Sequence, residues 1–131
     1  MSDFLNDIQV QFKEAKGFEN KYMLLLKLAR SGEFLPQDQC VDDNEVAGCE
    51  AKVWLKSVQV KGSVQFLASS DSRLIKSILW IIVNIANQSD QTIKVDYIKI
   101  LLDLGLGNVV SQSRQNGILK IQKAIEKTLE A

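Results

Sequence analysis

Apolar residues at Phe4, Leu5, Ile8 and Phe12 recur at helical spacing and predict a first helix, with Ser2 as its N-cap and Gly17 as its stop. A second helix is expected over residues 19–30, with Tyr22, Leu25, Leu26 and Ala29 on one face and Gly32 after its end. A polar stretch then runs from residue 33 to 47 and holds the only proline, Pro36. From Lys52 the period drops to two: Trp54, Val58 and Val60 alternate with Val53, Leu55 and Ser57, a strand pattern. Lys61-Gly62 marks a turn, and Val64, Phe66 and Ala68 supply the returning strand of a hairpin. Asp71 and Ser72 are candidate caps for a third helix over residues 73–87. That helix is apolar nearly all round, which predicts a central core element. A fourth helix over residues 95–104 ends at Gly105 or Gly107. Ser111 or Ser113 opens a last helix carrying Ile118, Ile121, Ala124, Ile125 and Leu129 at helical spacing.

The order helix, helix, hairpin, helices predicts an α+β fold, a small hairpin-based antiparallel sheet of about three strands packed against several helices. At 131 residues the chain fits a single domain spanning 1–131, with no internal repeat or linker. Hydrophobic residues make up 46% of it, as in ordinary globular proteins. Sixteen basic residues balance sixteen acidic ones, which argues against nucleic acid as a partner. The longest apolar run, residues 78–83, is too short to span a membrane. The acidic N-terminus lacks the basic start of a signal peptide, so a cytoplasmic location is expected.

Chemistry concentrates on one thiol. Cys49 follows Gly48 in Val46-Ala47-Gly48-Cys49-Glu50-Ala51-Lys52-Val53-Trp54, at the end of a loop leading into the first strand. The chain has no histidine, the commonest base for activating a thiol. Residues 31–51 contain no lysine or arginine but do contain Glu33, Asp38, Asp42, Asp43, Glu45 and Glu50. Negative charge disfavours a thiolate, so this setting quiets Cys49 rather than activating it. Cys40, nine residues earlier, reads as incidental, and two cysteines without histidine do not make a zinc site. Gly105-Leu106-Gly107-Asn108 follows a helix and lacks the Lys-Ser/Thr of a phosphate loop. Asp96 and Asp103 read as solvated, and so does the basic face of Lys120, Lys123 and Lys127.

The segment Asn44-Glu45-Val46-Ala47-Gly48-Cys49-Glu50-Ala51-Lys52-Val53-Trp54 resembles the N-x-V-x-G-C-x-S-x-V-W motif of the SufE/CsdE sulfur acceptors. Glu19-Asn20-Lys21-Tyr22 is similar to the family's E-x-K-Y, and Leu35-Pro36 to a downstream L-P. Ser70-Asp71 with Leu74-Ile75-Lys76 resembles the opening of its long helix, and Ser113-Arg114-Gln115-Asn116-Gly117-Ile118 its S-R-x-x-G-L. Ala51 stands where the family usually has serine, and Gln112 where proline is common.

The resemblance implies a SufE/NifU-like fold and an accessory sulfur-transfer protein rather than an autonomous enzyme. Cys49 would accept persulfide sulfur from a cysteine desulfurase of the SufS/CsdA kind, stimulate that enzyme, and deliver sulfur to an iron–sulfur scaffold of the SufBCD kind. No cofactor would be bound by this chain, because pyridoxal phosphate belongs to the desulfurase. Gly48, Asp71 and Arg114 are the candidate supporting or docking residues, with Arg114 facing the Cys49 loop to stabilise the thiolate or pair with a loop carboxylate. The alternatives are a thiol-dependent redox protein, with Cys40 as resolving partner, and a regulatory module of a desulfurase that carries no sulfur.

Overall fold

The computed structural model describes residues 3–88, 91 and 94–130; the expected cap at Ser2 lies outside them. Helices α1 (Asp3–Glu14) and α2 (Gly17–Ala29) lead into a segment with two short 3-10 turns, Gln37–Gln39 and Asp42–Asn44. The hairpin β1 (Val53–Val60) and β2 (Ser63–Ser70) follows, then α3 (Arg73–Gln88), α4 (Tyr97–Asp103) and α5 (Gln112–Glu130). The architecture is α+β, as the sequence pattern predicts. Helix α1 closes at Glu14, earlier than the expected stop at Gly17. Gly17, at φ +83°, instead swings the chain into α2.

Helix α3 is the centre of the core. It lies across β2 and against α2, with Ile78, Leu79, Ile81, Ile82 and Ile85 at most 1% exposed. Burying each such side chain contributes about 1.5–3 kcal/mol. Ser72 caps the helix, its Oγ accepting from the Ile75 amide at 3.3 Å. Of the two candidate caps, Ser72 is the one used, and the Asp71 carboxylate is engaged elsewhere, by the Lys52 amide. Helix α4 starts at Tyr97 rather than 95, because Asp96 is its N-cap and accepts from the Lys99 amide. Asp103, at the other end, pairs with Lys99 on the surface at 3.3 Å.

Strands β1 and β2 pair in antiparallel register from Val53↔Ser70 to Val60↔Ser63. Lys61 (φ +48°) and Gly62 (φ +82°) make the two-residue turn expected between them. Val53, Phe66 and Ala68 face the helices, while Val58 and Val60 lie exposed on the other face. Among the described residues the sheet has two strands, not about three. The outer edge of β2 is occupied by side chains instead. Asn87 Oδ1 accepts from the Phe66 amide at 2.7 Å and its Nδ2 donates to the Phe66 carbonyl at 3.0 Å. Beyond the end of α3, Gln91 makes the same pair of bonds to Val64, and the Leu35 amide donates to the Ala68 carbonyl. These groups satisfy an edge that would otherwise invite a further strand.

Candidate functional site

Cys49 sits on a loop whose base is pinned at both ends. The Val46 amide donates to the Val53 carbonyl at 2.8 Å, and Glu45 forms an isolated antiparallel bridge to Trp54. Lys52, just before β1, is clamped to the β2–α3 junction. Its amide donates to Asp71 Oδ1 at 3.1 Å, and its carbonyl accepts from Ser70 Oγ at 2.7 Å and from the Asp71 amide at 3.3 Å. The Ser-Asp pair thus fixes the exit of the Cys49 loop rather than capping the helix that follows it.

The loop is held from the other side by α5. Ser113 Oγ donates to Glu50 Oε2 at 2.8 Å, and the Cys49 thiol points at the Gly117 carbonyl with Sγ···O at 3.8 Å. The end of the Lys120 side chain lies over Gly48, where Cε would come within 2.5 Å of an added Cβ. Residues 113, 117 and 120 share one face of a helix by their spacing. That face meets Glu50, Cys49 and Gly48 in reverse order. Gly48 itself adopts φ +88°, so the loop can reverse there with no side chain in the way.

Cys49 is half-buried over a small apolar cavity of about 20 Å³. Val53, Ile75, Ile78, Leu79, Ile118 and Ile121 supply apolar walls. Burial pushes the thiol above its ordinary value; Lys120 pulls it down and Glu45 adds to the rise. The direction agrees with the sequence reading, but desolvation outweighs the acidic residues, all six of which are exposed to water. Arg114 lines the same cavity and donates through Nη1 to the Val109 carbonyl at 3.0 Å. Among the described residues it makes no ion pair with a loop carboxylate. Cys40 is a free thiol directed at the Pro36 and Leu35 carbonyls. No group of three or more His, Cys, Asp or Glu that could hold a metal occurs among the described residues, and none of the helices searched is long and apolar enough to cross a membrane.

The family model described as "SufE: Fe-S metabolism associated domain" matches residues 6–129, nearly the whole of this arrangement. The chain belongs to the SufE family. It is similar to an uncharacterized SufE-like protein of Haemophilus influenzae, 30% identical over 125 residues that cover 88% of this chain and 94% of the relative. It is also similar to the sulfur acceptor protein CsdE of Escherichia coli K12, 29% identical over 111 residues that cover 82% of this chain and 76% of CsdE.

The SufE motifs acquire physical roles in this structure. Ser70-Asp71 clamps Lys52, Leu35 joins the β2 edge, and Ser113 and Gly117 grip the thiol loop. Lys120 is the residue that sequence reasoning passed over, reading it as part of a solvated face. The signal was available in its spacing: it stands seven residues after Ser113 and three after Gly117, on the same helical face.

Proposed function

We propose that this chain is a sulfur acceptor that takes sulfur from a cysteine desulfurase onto Cys49 and passes it on for iron–sulfur cluster assembly. The observation that carries the reading is the Cys49 loop, clamped at its base by Asp71 and held along its tip by α5, in a chain of the SufE family. The similarity to the sulfur acceptor CsdE supports it.

The chemistry is a thiol exchange. The Cys49 thiolate attacks the outer sulfur of a persulfide on the donor enzyme. The donor's S–S bond breaks, its cysteine leaves as thiolate, and Cys49 becomes the persulfide, with no net oxidation or reduction. A half-buried thiol with a raised pKa is a poor autonomous nucleophile, so docking must expose it or lower its pKa. This favours an accessory role over a self-sufficient redox enzyme. Stimulation of the desulfurase, delivery to a SufBCD-like scaffold and a cytoplasmic location complete the proposal. The pyridoxal phosphate stays with the desulfurase, and this chain is expected to bind no cofactor.

The test is intact-mass measurement after incubation with a SufS- or CsdA-type desulfurase and free cysteine. We expect a gain of about 32 Da, one sulfur on a thiol, reversed by dithiothreitol and absent in Cys49→Ser. No gain, or an equal gain in Cys49→Ser, overturns the assignment. Full stimulation of the desulfurase by Cys49→Ala would indicate the non-carrier regulatory module instead.

A further inference from the structure

We infer that Lys120 is a positioning residue for Cys49: its ammonium group, laid across Gly48, is the counter-charge for the thiolate that accepts sulfur. The inference rests on the carrier reading above for its biological use, but its physical content concerns the thiol alone.

The geometry is specific. The last atoms of the Lys120 side chain occupy the space that any side chain at residue 48 would need, with Cε, Cδ and Nζ at 2.5, 2.7 and 2.8 Å from an added Cβ. Gly48 is covalently next to Cys49, so the ammonium group sits directly against the thiol loop. Among the described residues no carboxylate lies within 4.0 Å of it, since the ion pairs found there are Lys94–Glu130 and Lys99–Asp103.

The other charged groups around the thiol do not offer the same service. Glu45, on the loop itself, opposes a thiolate, and Glu50 is engaged by Ser113. Asp71 is occupied at the loop's base by the Lys52 amide, and neither its carboxylate nor the Lys52 ammonium is among the charges that shift the thiol. Arg114, also on α5, directs its guanidinium to the Val109 carbonyl. From α3 the walls near the thiol are Ile75, Ile78 and Leu79, which carry no charge. Lys120 is the cation whose field lowers the thiol pKa against the effect of burial. During exchange a full negative charge must form on Cys49 sulfur before attack, and an ammonium held beside it stabilises that form.

Gly48 then has a second purpose besides its positive φ. A methyl group at residue 48 would displace the end of Lys120 and would also strain the loop at its φ of +88°.

The test is the pH dependence of iodoacetamide alkylation at Cys49, in the full chain carrying Cys40→Ser and with no partner present. Lys120→Met should raise the midpoint and slow alkylation below it by about two- to fivefold. Lys120→Glu should raise the midpoint further, and Lys120→Arg should restore the parent profile. Lys120 is exposed, so the melting temperature should stay unchanged. An unmoved midpoint in both Lys120→Met and Lys120→Glu overturns the inference. Because no desulfurase is used, that failure is separate from failure of the mass gain that tests the carrier reading.

Discussion

The Cys49 thiol donates toward the carbonyl oxygen of Gly117, 68 residues further along the chain, at 3.8 Å. This contact sets how deeply the reactive sulfur sits. A Cβ at residue 117 would stand 3.6 Å from Sγ and 3.7 Å from the Cys49 Cα and Cβ, in ordinary van der Waals contact, so helix and loop are separated by no more than a methyl group's width. The helix can thus lie flat against the loop, and the sulfur is turned inward over the apolar cavity.

One methyl group fits at that spacing, and a branched side chain does not. Gly117→Ala should keep the loop in place and raise stability by up to about 1 kcal/mol, since glycine is a poor residue inside a helix. Gly117→Val should push Cys49 outward. Desolvation is the main reason the thiol pKa is raised, so exposure lowers it and alkylation at neutral pH becomes faster. Alkylation rates and thermal melts of both variants check this. A valine variant that alkylates no faster than the parent would show that the Gly117 contact does not govern the thiol's burial.

The edge of β2 makes a second prediction. Asn87 supplies both hydrogen bonds of the Phe66 backbone, and Phe66 is only 1% exposed. Asn87→Leu leaves a buried N–H and C=O unpaired, at about 1–3 kcal/mol for each. Gln91→Ala removes the equivalent bonds to Val64, which is less buried and can recruit water, so its cost is smaller. Urea unfolding should rank the two variants in that order, with amide exchange at Phe66 accelerated in Asn87→Leu. Equal stability of Asn87→Leu and the parent would contradict this.

How far the sequence carried the fold follows from the range of the interactions. Hydrophobic period located α1, α2, both strands, α3 and α5, because those patterns are local. The positive-φ turn at Lys61-Gly62 was legible for the same reason. The choice between Asp71 and Ser72 as cap was not legible, because the two offer the same chemistry one residue apart and only the fold brings Lys52 to Asp71. A third strand was expected because nothing local says that an asparagine on α3 and a glutamine beyond its end will close a sheet edge. At the site, Cys49 and Gly48 stood out as a motif. The grip of Ser113, Gly117 and Lys120 did not, since it joins segments more than 60 residues apart.

Gly32 tests the packing between α2 and α3. It follows the end of α2, and its amide donates to the Ala29 carbonyl at 2.9 Å. A Cβ at residue 32 would clash with Trp80 Cδ1 and Nε1 and stand 3.0 Å from the Ala29 carbonyl oxygen. Trp80 packs edge-on against Phe4, with ring centroids 5.2 Å apart, so moving the indole disturbs that contact as well. Gly32→Ala should therefore destabilise by about 1–3 kcal/mol, as overpacking does. Gly62→Ala meets no atom within 4 Å and bears only the strain of its φ of +82°, so comparing their denaturant midpoints separates clash from backbone strain.

Alkaline pH should weaken the fold through two groups. Burial raises the Cys49 thiol, and burial followed by the charge of Glu126 raises the Tyr97 phenol to about 12. For each acid the folded chain holds its proton more tightly than the unfolded chain does. The resulting stability is complete below the unfolded values, about 8.5 for cysteine and 10 for tyrosine, and is lost as pH rises through the folded ones. Stability should therefore begin to fall above about pH 8.5 through Cys49, with a further fall above about pH 10 through Tyr97. Cys49→Ser should remove the earlier part of the decline. Tyr97→Phe should flatten the later part, because phenylalanine has no proton to lose. Urea unfolding at a series of pH values reads both slopes. An unchanged slope above pH 10 in Tyr97→Phe would mean that the phenol ionises equally easily in the folded and unfolded chains.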